Sequence, residues 1–383
     1  MPSTIRDIKE RTGLSLATIS KYLNGGNVLP ENKEKIEAAI KELNYQVNEM
    51  ARGLVTNKTR SIGVLVHNVA SIFCGLLLRY IGDVLKDNGY SMIICDARDD
   101  EANQAESIQF LLSKKVDGII VIPVADKGEF LKPAVSAKVP VVLLDRSLRN
   151  CDFDCVRINN REAAYKATNE LLKNGHKKNA VIYSAHNYTG LQRYRGFLEA
   201  LEDAGLTVEK DFDKPGFHSI EHGYESMKQL LALKNKPTGV FTTNYEVTLG
   251  AVMAVNESKY SCPEDISIMG FDNLILTHIV QPKMTMVVQP MKEMGQRAAN
   301  LILKRIAEKD HEPPIEYILG TKIEKGNSIT KSARSFVNSS TVNIESTVII
   351  VIQACMPKPQ NSIVSIFISE VTHILFLTTN FTN

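Results

Sequence analysis

The alternation of hydrophobic and polar positions divides the chain into three unlike stretches. Over residues 4–12, Ile5 and Ile8 fall on one face of a short helix, and Gly13 ends it. Ser15 stands where it can cap a second helix, from Leu16 to about Leu23, and Asn24-Gly25-Gly26-Asn27 is a turn. Ile36, Ala39, Ile40 and Leu43 then recur at helical spacing, with Pro30 in the first turn of a third helix. Three such short helices can share one small core.

From Ile62 the rhythm changes. Short β-branched runs predict strands at Ile62–Val66, Ser91–Cys95, Gly118–Ile122, Val139–Leu144, Ala180–Tyr183, Gly239–Thr242 and Ile266–Phe271. Amphipathic stretches between them predict helices at Leu76–Asn88, Asn103–Lys114, Arg161–Asn174, Tyr194–Ala204, Gly223–Leu233 and Val247–Glu257. Strand–helix alternation of this kind means an α/β body of parallel sheets with right-handed crossovers. It occurs twice, near 62–158 and 160–285, which predicts two similar lobes. Ligands of such folds bind beyond the carboxyl ends of the strands, here between the lobes. Met291, Met294, Ala298, Leu301, Ile302 and Arg305 mark a further amphipathic helix, expected to help the N-terminal lobes of two copies pair. After about Thr330 the chain becomes Ser/Thr/Asn-rich. Its apolar runs there suit strands or aggregation-prone segments, and no function is assigned to them.

Composition adds two constraints. A chain of 383 residues, 44% hydrophobic and 23% charged, has ample material for two or three ordinary globular domains. The net charge is only +2, but residues 1–60 hold ten Lys and Arg against seven Asp and Glu. The head is thus +3 and the remainder about −1, which suits a phosphate contact made by one end. The N-terminus shows no apolar signal region and no apolar run spans a membrane, so a cytoplasmic location is expected. The six cysteines lack metal-ligand spacing and read as reduced, mostly buried thiols. No nucleophile elbow, phosphate loop, zinc-protease motif or dinucleotide fingerprint occurs, so neither enzymatic activity nor a cofactor is expected. His67, His176, His186, His218, His222 and His278 are isolated in sequence and read as surface or loop residues.

The most specific motif is Ser15-Leu16-Ala17-Thr18-Ile19-Ser20-Lys21-Tyr22-Leu23-Asn24-Gly25. A DNA-reading helix needs small or polar residues on its exposed N-terminal turn so that the backbone can approach base edges. Leu16, Ala17, Ser20 and Lys21 meet that need, while Ile19 and Leu23 would pack inward. Spacing alone also permits an ordinary helical hairpin.

Three stretches together resemble the lactose-repressor (LacI/GalR) family of bacterial regulators. They are Thr4–Ile8 with Gly13-Leu14-Ser15, then Ala17–Gly25, and finally Asn48-Glu49-Met50-Ala51-Arg52-Gly53-Leu54. The resemblance runs over about residues 3–330. It implies a helix-turn-helix domain at 1–46 and a hinge at 47–60. A two-lobed, periplasmic-binding-protein-like effector and dimerisation domain would follow at 61–330. Lobe 1 would take about 61–158 and 288–320, lobe 2 about 159–287 and 321–330, leaving an atypical tail at 331–383. It further implies a homodimer on a pseudo-palindromic operator, with Leu16, Ala17 and Lys21 on base edges. Ser15, Thr18, Ser20 and Asn24 would complete that helix's contacts. Asn48, Ala51, Arg52 and Leu54 would act in the hinge, where Leu54 would wedge into the minor groove. Departures are visible: Lys21 where Arg is frequent, Gln46-Val47 for Arg-Pro, and Leu29 for a capping Ser. The last should weaken the third helix by about 1 kcal/mol.

The resemblance also implies a small polar effector, a sugar first of all, with a purine or other metabolite as an alternative. The positions it implies for the pocket are Ser71, Phe73, Asp145, Arg146, Arg193, Phe217, Asn244, Asp272 and Gln289. Asp145–Arg146 could instead be a surface ion pair, and Phe73 and Phe217 core residues. The expected function is a ligand-responsive repressor of carbohydrate-related genes. Two rivals stand beside it. One is a catabolite-control-type regulator activated by a phosphoprotein partner. The other is a transport solute-binding protein, which should carry an export signal and no DNA-binding head.

Overall fold

The structure, a computed structural model, describes residues 3–45, 58–149, 152–272, 280–308 and 312–332. The hinge positions Asn48, Ala51, Arg52 and Leu54, the residue His278 and the tail from 333 lie outside the described residues.

The head is three helices, α1 (Ile5–Thr12), α2 (Leu16–Leu23) and α3 (Pro30–Glu42). Gly13 ends α1 with φ 69°, a left-handed backbone that suits glycine. The Ser15 side chain caps α2 by accepting from Thr18 N. One apolar residue from each helix, Ile8, Ile19 and Ile36, is fully buried at the centre. Arg11 and Glu42 tie α1 to α3 at 2.8 Å.

The body holds two parallel-based sheets. The first takes β1 (Ser61–Val66), β2 (Ser91–Asp96), β3 (Gly118–Val121), β4 (Val141–Asp145) and β5 (Asp154–Ile158), and later β11 (Glu316–Leu319). Its order is β11-β5-β4-β3-β1-β2, parallel throughout. Helices α4 (Ile72–Asp87), α5 (Glu101–Ser113) and α6 (Lys132–Ser136) join its strands. The second sheet takes β6 (Asn179–Ser184), β7 (Asp213–Gly216), β8 (Gly239–Thr242), β9 (Ser267–Phe271), β10 (Thr285–Val288) and β12 (Lys322–Glu324). Its order is β12-β10-β9-β8-β6-β7, with only β12 antiparallel. Around it lie α7 (Asn160–Lys173), α8 (Tyr188–Asp203), α9 (Ile220–Ala232) and α10 (Tyr245–Asn256). Helix α11 (Met291–Ala307) returns the chain to the first sheet.

The two sheets repeat one winding. In each, the second strand lies outside the first, and the third, fourth and fifth follow on the other side. The order reverses between β1 and β3, and again between β6 and β8, and such switch points are where open α/β sheets bind ligands. The chain passes between lobes three times, after β5, after β10 and after β11. Alternation along β1 explains the layering: Ile62, Val64 and Val66 join the cluster under α4 and α11, while Leu65 joins the one under α5. In the second lobe α8 packs closely on α7 because its Gly196 faces that helix. A Cβ there would lie 2.0 Å from the Arg161 carbonyl oxygen.

The apolar stripe of α11 serves a different purpose from the one its pattern suggested. It lies on α4 and across β3, β4 and β5 of its own chain. Met294, Ala298, Leu301 and Ile302 are buried there, Met291 packs at the margin, and Arg305 makes two 2.7 Å bonds to the Asp154 carboxylate. A parallel sheet needs both faces covered, and this helix covers one. Its apolar face is therefore not open to a second copy.

Five strands, β5, β7, β10, β11 and β12, were not evident in the pattern. Of these, β7 (Asp-Lys-Pro-Gly) has no strand propensity; pairing with β6 at a sheet edge shapes it, where Pro215 is tolerated.

Candidate functional site, recognition helix and interlobe cleft

On α2 the structure separates two faces. Ile19 is fully buried and Leu23 packs beside it, whereas Ser15, Leu16, Ala17 and Lys21 are exposed. Thr18, Ser20 and Asn24 are half-buried. Ser15 Oγ and Thr18 Oγ1 lie 2.9 Å apart, and Asn24 Nδ2 donates to Ser20 Oγ at 3.3 Å. The exposed face thus carries one apolar side chain, one methyl group and one cation on a helix whose first turn is open to approach. Leu29, at the N-cap of α3, makes no side-chain cap bond and is exposed.

The second site lies where the carboxyl ends of the two sheets meet. Arg193, on α8, is buried and fixed on three sides. Its Nε donates to Asn160 Oδ1 at 2.8 Å, and its Nη1 to the Thr243 carbonyl at 2.6 Å and to Asp272 Oδ2 at 3.4 Å. The guanidinium lies 3.7 Å above the Phe271 ring. Gln289, just past β10, donates from Nε2 to Asp272 Oδ1 at 2.5 Å. Burial pushes the Asp272 carboxyl up, and Arg193 and Gln289 oppose the shift without cancelling it. Gln289 Oε1, Thr243 Oγ1 and the Tyr245 hydroxyl are buried beside this network with no hydrogen-bond partner among the described residues.

Asp272 follows β9, and Asp145 closes β4, the equivalent strand of the other lobe. Both adopt left-handed backbone, at φ 69° and 73°. Strained non-glycine backbone of this kind concentrates at binding sites. Asp145 pairs with Arg146 at 3.3 Å, and both are buried, so this is not a surface ion pair.

The remaining predicted positions divide. Asn244 is buried and spends its side chain capping α10, accepting from Val247 N at 2.8 Å. Ser71 stands at the N-cap position of α4 without a side-chain cap bond, and its Oγ donates instead to Glu246 Oε1 in the other lobe at 3.5 Å. Phe73 is half-buried and packs on the apolar core. Phe217 is 68% exposed and stacks on His186 with centroids 4.4 Å apart, so it is not a core residue. The structure therefore brings Arg193, Asp272 and Gln289 into one network and leaves Phe73 and Phe217 outside it.

Two of the histidines depart from the surface role expected of them, while His218 is exposed on a loop as expected. His67 and His176 are buried. His176 bridges Thr238 Oγ1 and the Thr330 carbonyl. His67 Nδ1 lies 2.9 Å from Asp99 Oδ1, and His218 Nε2 lies 2.7 Å from Glu246 Oε2. Residue spacing along the chain could not join these four groups. Their position could: each lies within a few residues of the carboxyl end of β1, β2, β7 or β8.

A helix-turn-helix head on a two-lobed body with a polar cleft defines a class, the ligand-sensing bacterial DNA-binding regulators. Residues 4–48 match the family model for bacterial regulatory proteins of the lacI family, and residues 168–329 match the periplasmic binding protein-like domain. The HTH-type transcriptional repressor PurR of Mannheimia succiniciproducens is 33% identical over 313 residues, covering 80% of this chain and 93% of that protein. The chain belongs to the LacI family. A LacI family transcriptional regulator from Enterococcus faecium, solved with bound ribose, superposes with TM-score 0.64 at 30% identity, over 71% of this chain and 99% of the other. The lac repressor dimer bound to operator and the anti-inducer ONPF shares the fold, with TM-score 0.78 at 23% identity over 86% of this chain and 100% of that one.

Proposed function

We propose that the chain is a ligand-responsive, sequence-specific repressor, acting in the cytoplasm as a homodimer on a pseudo-palindromic operator. Residues 1–46 read the DNA, 47–60 form the hinge, and 61–330 sense the effector and dimerise. Leu16, Ala17 and Lys21 contact base edges, with Ser15, Thr18, Ser20 and Asn24 fixing the helix on the backbone. Lys21 offers a point charge rather than a planar fork, so it constrains guanine less than Arg would. Asn48, Ala51, Arg52 and Leu54 of the hinge set the minor-groove contact.

The effector is a small polyhydroxylated molecule held between the lobes by Arg193, Asp272 and Gln289. Ser71, Asp145, Arg146 and Asn244 surround it, and Phe73 and Phe217 supply apolar walls. The observation that carries this reading is the buried Arg193–Asp272–Gln289 network, with unpartnered polar atoms beside it. Buried polar groups without partners cost stability and are retained where something satisfies them. A carboxylate, a guanidinium and an amide together can bridge vicinal hydroxyls, which favours a sugar. Ligand binding changes the relative population of lobe arrangements and so the hinge's readiness to fold on DNA.

Titration calorimetry of the wild type and Asp272→Ala against sugars and purine bases tests the reading. At least one ligand should bind the wild type, and Asp272→Ala should lose that binding while operator affinity is kept. A panel without any binder, combined with a phosphoprotein that tightens operator binding, would replace it with the partner-activated alternative.

A further inference from the structure

The mouth of the cleft carries a cluster that the proposed effector site does not use. From the first lobe come His67, just past β1, and Asp99, on the loop after β2, 2.9 Å apart. From the second come His218, two residues past β7, and Glu246, in the first turn of α10, 2.7 Å apart. The two imidazole rings lie across the gap with centroids 6.2 Å apart, tilted by 57°. Ser71 Oγ reaches Glu246 across the same gap at 3.5 Å.

Two histidines and two carboxylates could suggest a cation site. Among the described residues, however, no group of three or more such side chains converges on a point that could hold a metal ion. Each imidazole instead spends a nitrogen on its own lobe's carboxylate. What the lobes share is an alternating arrangement of charge.

We propose that these two histidine–carboxylate pairs form a proton-dependent latch that holds the lobes together at the cleft mouth. With both imidazoles protonated, His67 is attracted to Asp99 in its own lobe and to Glu246 in the other; His218 is attracted to Glu246 and to Asp99. These cross-lobe attractions offset the repulsion between like charges. With both imidazoles neutral, Asp99 and Glu246 remain as two anions on opposite sides of the gap and favour its opening.

The carboxylates carry the signature of this coupling. Burial pushes Glu246 up, but His218, and then the charge of His67 across the cleft, hold it below its ordinary value. Asp99 behaves the same way: burial raises it, while His67, Asn68 and the charge of His218 in the other lobe bring it below the ordinary value. A depressed carboxylate stabilises the closed form only above its own titration. The latch therefore holds while the two carboxylates are charged and the two imidazoles carry protons, and it is lost as pH falls through the carboxylates' lowered values. Other charged groups near the contact are already engaged. Asp96 accepts from Val69 N and Arg98 N. Deeper in the cleft, Asp145 pairs with Arg146, and Asp272 with Arg193. His186 stacks on Phe217, and burial pushes Cys74, beside the β1 loop, up to about 12, so it stays neutral.

The latch does not depend on which effector binds, so its test omits effector and DNA. Small-angle scattering on the full chain, at a concentration where its mass is constant, compares about pH 5.5 with about pH 8. The wild type should show a larger radius of gyration at the higher pH. The His67→Gln/His218→Gln double variant, and Glu246→Gln as an independent check on folding, should show none of that increase. In parallel, carbon-13 NMR of side-chain carboxyls should show Glu246 titrating at higher pH in His67→Gln, although the two residues belong to different lobes. Equal dimensions at both pH values in the wild type, or a Glu246 titration unmoved by His67→Gln, would overturn the latch.

Discussion

Arg193 and Asp272 show how a buried charge is kept and why it has a cost. The guanidinium is satisfied by Asn160, the Thr243 carbonyl and the Phe271 face, so it would remain ordered with Asp272 neutral. Asp272 is less well served, because burial raises it more than Arg193 and Gln289 lower it. An acid raised in the folded state favours folding while protonated. That contribution is complete below its ordinary value of 3.8 and fades as pH rises through the folded value. Asp272→Asn lacks this loss. From about pH 4 upward, urea unfolding should show the wild type losing stability relative to Asp272→Asn; parallel pH profiles would refute the account. The sequence marked Arg193, Asp272 and Gln289 through family resemblance, and each lies where the fold puts polar ligands. It could not mark His67, Asp99, His218 and Glu246. Their partners are 32 and 28 residues apart, and the two pairs meet only when the lobes do.

At the scale of elements, the chain's own pattern accounts for the helices and the central strands. The buried strands β1, β3, β4, β6, β8 and β9 are nearly continuous apolar runs, which is how parallel strands covered on both faces read. The strands that escaped the pattern lie toward the sheet margins, where a neighbour's free edge determines structure more than side chains do. Among the edge strands, β11 leaves alternate residues in water and β7 exposes Pro215. Capping was also readable. Ser15 caps α2, and Leu29 fails to cap α3. Leu29 is 62% exposed and has little packing to lose, so Leu29→Ser should stabilise the head by about 1 kcal/mol. Thermal unfolding of the head, followed by helical circular dichroism, would read this as a higher midpoint. A lower midpoint would mean that Leu29 makes an apolar contact worth more than the cap.

At the scale of the molecule, three crossings tie each lobe to the other, and the last residues close the structure. Ser328 Oγ donates to the Ile268 carbonyl at 2.7 Å, Thr330 accepts from His176, and Ser332 N donates to the Asn174 carbonyl at 2.9 Å. Packing among the described residues thus extends past the end expected at 330, at least to Ser332. A chain of residues 1–332 should keep the unfolding midpoint and DNA binding of the full length, whereas one ending at 326 should unfold at lower temperature. A midpoint lost already at 332 would assign the tail a structural part. The proposed contact with a second copy would not use the apolar face of α11, which is covered within the chain. In the proposed function the exposed face of α2 reads a specific DNA sequence and the cleft governs the reading. Selection of bound sequences from a random DNA library, with and without a mixture of sugars and purine bases, tests both halves together. An enriched pseudo-palindrome whose recovery changes when the mixture is present is expected; recovery of no common sequence, or of one indifferent to every ligand, would refute the proposed function.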